Sequence, residues 1–434
     1  MKHRVLPGLA LAALGMLSLP ILVPAQSHYN LSNVGAAAMA HIQELSALGI
    51  REPGSPVEAK ALALIDREFK ESGLKTSVEP FPFLTYSPGR MRLRVGDRAA
   101  EPEMASFDVY GSPKGVTGPV VFVDPETPRE SLFKMDLTGK IAVSAKPANP
   151  FVFWRLKPKA AVFLKSEDFQ ALKTAPEATA TLETEGKVET KHSANLIAVL
   201  PAPASPYKKR IIVSAHYDAV GGPGASDNAS GVAVMLEVAR YFASMKQAPV
   251  CEIDFVAFGA EEAAVLGSRV YVTRHGEALA DVELLFNMDT LGSGDFYIEM
   301  QGGVSGISAR KGESQFPPDL ANKAAADATG RWQWLEPRLA PVMSASCVPE
   351  WLKEKITGAA AELGVAFTPS NYMGSDNLVF AQAGIPSTDI AAPGSKTHGP
   401  EDTPDKIVLR NLEDAAALVI RVIDKTLERV SEGR

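Results

Sequence analysis

Cysteine is nearly absent: Cys251 and Cys347 are the whole complement of a 434-residue chain. Two thiols cannot build a disulfide-stapled scaffold or a cysteine zinc finger. An excess of positive charge is missing too. With 44 Lys and Arg against 51 Asp and Glu, the formal net charge is −7. That balance argues against nucleic acid as a partner, because neutralising phosphates requires a basic face. Past the N-terminal segment no apolar run is long enough to span a bilayer, and no P-loop, dinucleotide-binding glycine fingerprint or internal repeat is present. What remains is ordinary globular composition, 46% hydrophobic and 22% charged. It is enough for roughly two to three domains of about 150 residues each.

The N-terminus reads as a targeting segment. Lys2, His3 and Arg4 precede an apolar run from Val5 to Val23, which closes on Val23-Pro24-Ala25. A basic start, a hydrophobic centre and a small-residue end describe a secretory signal peptide over residues 1–25, and Pro7 and Pro20 shorten any membrane-spanning helix. The expectation is an exported chain, periplasmic or extracellular, with no stable membrane insertion after cleavage. There Cys251 and Cys347 can either pair or stay as two buried thiols.

Helical spacing covers roughly Leu31 to Leu48. A second helix is marked by Ser55 as cap, Pro56 at the first position and Glu58 to complete a capping box. Leu62, Ile65 and Phe69 give its apolar face and Gly73 its end, with a strand expected near Thr76–Pro80. Between Ser87 and Lys191 short β-like runs (Pro119–Val123, Lys140–Ser144, Ala160–Leu164) alternate with Pro-, Glu- and Thr-rich connections, which reads as a small β-rich insert. Residues 174–191 read as a solvated linker or an exposed hairpin. Beyond them strands are expected at Asn195–Leu200, Arg210–Ser214, Glu252–Phe258, Glu283–Met288 and Pro386–Ile390, with helices at Gly231–Phe242, Ala263–Arg274 and Leu352–Leu363. Alternation of this kind implies an α/β fold: a twisted, mainly parallel sheet with helices on both faces, and a ligand site beyond the carboxyl ends of its strands.

Polar clusters fall at those strand ends: Ser214-Ala215-His216-Tyr217-Asp218, Ser226-Asp227-Asn228, Gly259-Ala260-Glu261-Glu262, Asn287-Met288-Asp289 and Thr397-His398-Gly399-Pro400. Singly, each has an ordinary reading as a surface histidine, a helix cap or a solvated carboxylate pair. Gathered at one sheet edge, the carboxylates would repel strongly, and bound divalent cations would relieve that repulsion. Imidazole plus carboxylate without thiolate suits zinc and leaves a position for water. Asp227, on a Gly-rich turn at a helix start, is placed to bridge two cations. One of Glu261 and Glu262 can bind metal while the other serves as general base. Asp218 can hold the second imidazole nitrogen of His216.

The stretches "SAHYDAVGGPGASDNASGVAVMLEVAR", "FGAEEAAVLGSRVY", "FNMDTLG" and "SDNLVFAQAGIPSTDI…THGPEDTPDKI", with a weaker "REPGSP" near Arg51, resemble the co-catalytic di-zinc aminopeptidases of metallopeptidase family 28. The resemblance implies a zinc-exopeptidase (phosphorylase/hydrolase-like) fold and two Zn2+ per chain. By it, His216, Asp227 and Asp289 hold one zinc and Asp227, Glu262 and His398 the other. Glu261 is the general acid/base, and Tyr372 of "NYMGSD" hydrogen-bonds the oxyanion. "GVTGPVVFV…DLTGKIAVSAK…KPKAAVFL" is similar to the protease-associated insert of such enzymes. The implied organisation is a signal peptide (1–25), a first catalytic part (26–86), the insert (87–190) and a second catalytic part (191–434).

Two positions depart from the family pattern: Thr290 follows Asp289 where Met or Leu is usual, and Asn377 replaces a frequent histidine. Trp332, Trp334 and Leu335, in a stretch matching nothing identifiable, read as local core. Peptides are the expected substrates. A carboxypeptidase or dipeptidase would need a cation such as Arg269, Arg274 or Lys396 for the substrate carboxylate. A glutaminyl cyclase would use one zinc, and a non-catalytic binding relative would have lost ligands.

Overall fold

Ile211-Ile212-Val213 is a β-branched run buried on both sides, as a central strand of a two-faced sheet must be. The structure, a computed structural model, describes residues 33–87, 89–107, 112–145, 156, 158–175, 178–300, 347–370, 374–394 and 396–433. The expectations for residues 1–25, for Trp332, Trp334 and Leu335, and for Tyr372 lie outside the described residues.

In chain order the helices are α1 (Val34–Ala47), α2 (Pro56–Glu71), α3 (Arg129–Leu132), α4 (Ser166–Lys173), α5 (Gly231–Ala243), α6 (Leu266–Arg274), α7 (Glu350–Leu363), α8 (Asn377–Gln382) and α9 (Leu409–Ser431). The strands are β1 (Lys75–Ser87), β2 (Met91–Val95), β3 (Arg98–Ala100), β4 (Met104–Phe107), β5 (Gly115–Phe122), β6 (Ile141–Ala145), β7 (Ala160–Leu164), β8 (Thr179–Thr184), β9 (Lys187–Leu200), β10 (Arg210–His216), β11 (Glu252–Phe258), β12 (Val282–Met288), β13 (Tyr297–Glu299), β14 (Thr368–Ser370) and β15 (Ser387–Ala391).

The larger sheet runs β1-β9-β11-β10-β12-β15-β13-β14. Its centre, β11-β10-β12-β15, is parallel. The flanks differ: β1 and β11 both lie antiparallel to β9, and β13 is antiparallel to β15 but parallel to β14. The sheet is thus mixed, and its parallel block is narrower than the strand–helix alternation implied. Alternate residues feed two cores. Ile211, Val213, Phe255 and Phe286 pack under α1, α2, α5, α7 and α9, while Ile212, Val256, Phe258 and Leu285 face α6 and α8. Helix α9, to which the sequence reading assigned no element, buries Leu412, Ala416, Val419 and Ile423 at helical spacing.

A second sheet, β3-β2-β8-β5-β6-β7-β4, is built wholly from residues within 91–184 and has its own apolar core on each face. It joins the first through one two-stranded ribbon, in which β1 pairs with β9 from Lys75↔Val199 to Ser87↔Lys187. Residues 174–191 are therefore neither linker nor hairpin. Strand β8 pairs with β2 and β5, whereas β9 belongs to the larger sheet. The Thr-rich run alternates Ala180 and Leu182 inward with Thr179 and Glu183 outward, a strand pattern that composition alone conceals. Cys251 lies in the apolar core and Cys347 against Leu378 and Ala381, and both are free thiols.

Candidate metal centre

Three adjacent parallel strands deliver the first groups. Strand β10 ends on His216, its neighbour β11 ends on Phe258 just before the turn Gly259–Glu262, and β12 on the other side ends just before Asp289. Parallel register puts all three carboxyl ends at one edge, so groups separated by tens of residues in sequence become neighbours. Tyr217 N donates to Phe258 O and Asp289 N to Ile390 O, extending the ladder past the strands and fixing both turns.

Asp227 arrives on the connection from β10 to α5, whose Asp227-Asn228 peptide is cis. Its turn is held from three sides. Asn228 Nδ2 donates to Met288 O at 2.9 Å, and Asn228 Oδ1 accepts from Gly231 N at 2.9 Å. Asp402 accepts from Ser226 N at 2.7 Å and from Asp227 N at 3.0 Å. Arg51, fully buried, donates to Tyr217 O, Pro223 O and Gly224 O. The loop carrying His398 lies on Gly221 and Gly222, where a Cβ on Gly222 would stand 1.8 Å from Gly399 O. Glycine is required there by close approach of two backbones.

These segments converge on Asp227. Its Oδ1 faces His216 Nε2 at 3.2 Å, and its Oδ2 faces His398 Nε2 at 2.9 Å. His216 Nε2 is also 3.4 Å from Asp289 Oδ1, and His398 Nε2 is 3.1 Å from Glu262 Oε2. Two ligand sets result, His216/Asp227/Asp289 and Asp227/Glu262/His398, each with one donor atom per residue within 4.8 Å of the others. Glu261 Oε2 lies 3.9 Å from His216 Nε2 without joining either set. Behind His216, Asp218 Oδ1 is 3.4 Å from Nδ1, and the same carboxylate accepts from Glu261 N and Glu262 N, both at 3.0 Å. Asp218 therefore fixes the backbone of both glutamates and stands directly behind the imidazole.

The donor set fits divalent cations. A single imidazole nitrogen carries at most one proton, yet His216 Nε2 faces the carboxylates of Asp227, Asp289 and Glu261. Asp289 Oδ1 and Glu262 Oε1 are buried without a hydrogen-bond partner, a costly arrangement that a cation would repair. The separations of 2.9–3.4 Å match the spacing of roughly 3.3 Å between atoms bound tetrahedrally at about 2.0–2.1 Å from one zinc.

Charge crowding shows in the titration of the groups. Burial, reinforced by Asp227, pushes the Glu262 carboxyl up to about 7. Burial carries Glu261 well above the usual carboxylate range, with Asp376, Asp289 and Asp218 adding to it and His216 opposing. The bond to Asp227 lifts His398 to about 9. Burial would depress His216, but Asp289 and Glu261 overcome it and hold the imidazolium well above its ordinary value. Protons thus stand in for missing positive charge, and metal binding would release them.

All five ligands expected from sequence, with Glu261 and Asp218, meet at this edge. The candidate carboxylate-binding cations do not join them freely. Arg274 donates to Pro80 O and neighbours Glu79, and Lys396 pairs with Glu401. Arg269 is buried, and its strongest electrostatic partner is Asp376. Sequence reasoning gave Asp402 and Glu58 no role in the site, because the amides of Ser226, Asp227 and Ala260 that they accept from are brought near only by the fold. The family-like stretches touched this supporting layer without assigning it a role: "REPGSP" holds Arg51 and "THGPEDTPDKI" holds Asp402.

Comparison with known proteins agrees with the geometry. Residues 195–330 match the model of peptidase family M28. The chain is 30% identical over 291 residues to Aminopeptidase YwaD of Bacillus subtilis, covering 59% of this chain and 62% of that protein. It is 24% identical over 298 residues to a probable lipoprotein aminopeptidase, LpqL, of Mycobacterium tuberculosis, covering 59% of each. The chain thus spans about three fifths of the length of these curated relatives. Among solved structures, an aminopeptidase from Aneurinibacillus sp. strain AM-1 shares the fold with a TM-score of 0.63 at 24% identity, covering 91% of this chain and 94% of that one. The region matched to family M28 takes in the strand ends and turns that carry His216, Asp227, Glu261, Glu262 and Asp289.

Proposed function

We propose that this chain is a zinc-dependent aminopeptidase that removes N-terminal residues from peptides. The observation that carries the reading is the split of one carboxylate: Asp227 presents one oxygen to His216 and the other to His398, while Glu261 stands beside the pair without a ligand position. His216, Asp227 and Asp289 would hold one Zn2+, and Asp227, Glu262 and His398 a second. When bound, the two cations supply Lewis acidity that makes water nucleophilic at neutral pH and polarises a carbonyl. Glu261 takes a proton from the attacking water as its oxygen bonds the scissile carbonyl carbon. The carbon–nitrogen bond then breaks, and Glu261 passes that proton to the departing amine. Asp218 keeps His216 oriented and Glu261 aimed through the backbone. Tyr372 is proposed as the donor to the oxyanion.

A free α-amino group could bind the second cation or the carboxylates beside it, which supports exopeptidase action from the amino end. The pairing of Arg274 with Glu79 and of Lys396 with Glu401 speaks against capture of a substrate carboxylate by either. Residues 1–25 are proposed to direct export, and residues 87–190 to form a protease-associated insert. No helix among the described residues is long and apolar enough to cross a membrane. The test is a panel of aminoacyl-nitroanilides beside N-blocked peptides, C-terminal substrates and a glutaminyl peptide, with and without chelator. Cleavage restricted to free-amine substrates, lost on chelation and restored by zinc, is expected. Turnover of N-blocked peptides, or cyclisation of the glutaminyl peptide in place of hydrolysis, would refute the assignment.

A further inference from the structure

Glu58 is expected from sequence to close a capping box, yet its carboxylate does not return to the Ser55 amide, which donates to Glu52 O. Ser55 Oγ does its share, accepting from Glu58 N at 3.1 Å. Glu58 is 2% exposed, and its carboxyl group reaches one local amide and two distant segments. Oε2 accepts from Gly54 N at 2.6 Å. Oε1 accepts from Ser193 Oγ at 2.6 Å and from Ala260 N at 3.1 Å. Ala260 directly precedes Glu261 and has a left-handed backbone, φ 55°.

The rest of the ribbon's root grips the same turn. Asn195 Oδ1 accepts from Gly259 N and its Nδ2 donates to Gly267 O. Phe81 and Phe83 of β1 pack on Ala260, Leu266 and Val270. A Cβ on Gly259 would stand 2.3 Å from Ser193 Oγ. Burying a carboxyl group is costly unless hydrogen bonds compensate it, and a helix cap needs no buried carboxyl. One local donor and two from distant segments, one of them adjoining the proposed base, describe a clamp. The left-handed Ala260 needs such support, because a non-glycine residue holds that conformation only when its surroundings impose it.

We propose that Glu58 is a positioning residue for Glu261: it ties the ribbon that carries the second sheet to the turn that aims the general base. The catalytic part of this inference rests on the assignment of Glu261 as base. Its structural part, that Glu58 orders residues 259–262, stands separately.

The experiment compares wild type, E58A, E58Q and S193A, each loaded with zinc, by metal content, steady-state kinetics on a free-amine substrate and hydrogen exchange of peptides spanning 258–264. Expected for E58A is a kcat lower by about 10- to 100-fold, with KM and bound zinc little changed. Backbone exchange at the turn should be faster by roughly tenfold or more, as loss of a buried hydrogen bond gives. E58Q, which keeps one acceptor oxygen, should fall between E58A and wild type. S193A should show the same pattern more weakly, and it carries the test with E58Q where E58A does not fold. Wild-type kcat and wild-type exchange in the soluble variants overturn the proposal. So does loss of zinc with unchanged kcat per bound zinc, which would make Glu58 a support of the ligands rather than of the base. A wild-type protein that binds zinc but cleaves no free-amine substrate refutes the aminopeptidase reading alone, because hydrogen exchange still decides whether Glu58 holds the turn.

Discussion

His216 is buried at the end of a central strand, with Asp218 behind it, whereas His398 sits on a loop with a left-handed backbone and a side chain 56% exposed. The two imidazoles face the same carboxylate, Asp227, from opposite sides. One half of the site is therefore part of the sheet, where moving a ligand means breaking strand pairing. The other is assembled from a turn and a loop resting on Gly221 and Gly222. Sheet-borne ligands are organised before a cation arrives, while loop-borne ones must be ordered by it at some entropic cost. The buried half should accordingly bind its cation more tightly and release it more slowly.

Removing the shared group is the severest test. D227A should lose cations from both halves, measured as metal per chain, and drop turnover by at least about 10³-fold. A variant retaining two equivalents would break the picture of a joined site. E261Q should cost roughly 10²–10⁴-fold in kcat while metal content stays at the wild-type level. Preserved peptide hydrolysis in that variant would remove Glu261 from the chemistry.

The comparison of halves is sharpened by chelator titration. Wild type should lose metal in two phases, and H398A should show only the slower one. A single phase in wild type would mean that the halves do not differ. D218N, which weakens the support of His216, Glu261 and Glu262 together, should lower affinity in both phases by about 10- to 100-fold. The smallest effect is expected for K396A. It breaks only the exposed pair with Glu401 beside the His398 loop, so kcat/KM should move by less than about threefold. A large loss there would instead point to Lys396 as a substrate contact.

Much of the site was legible from residue order. His216, Glu261, Glu262 and Asp289 each follow an apolar β run, and a parallel sheet brings such strand ends together whatever their separation. The supporting layer was not legible in the same way. Asp402 and Glu58 act by accepting hydrogen bonds from amides at Ser226, Asp227 and Ala260, and no local spacing records such pairings. Glu58 was actively misleading, since its position three residues after Ser55 has an adequate local explanation. Strand β8 was obscured by Thr and Glu on its outward face, and α9 carried a periodicity that went unread.

Sequence alone determined which chemistry was possible: imidazoles and carboxylates with no thiolate among them, distributed over the ends of hydrophobic strands. Tertiary structure alone decided which oxygen of Asp227 faces which histidine, that the two cysteines remain apart, and that a cap residue of α2 reaches the turn bearing Glu261. The reason is one of range. Side-chain type and strand periodicity are local properties of the chain, whereas hydrogen-bond partnership among buried groups depends on register and loop closure across some two hundred residues.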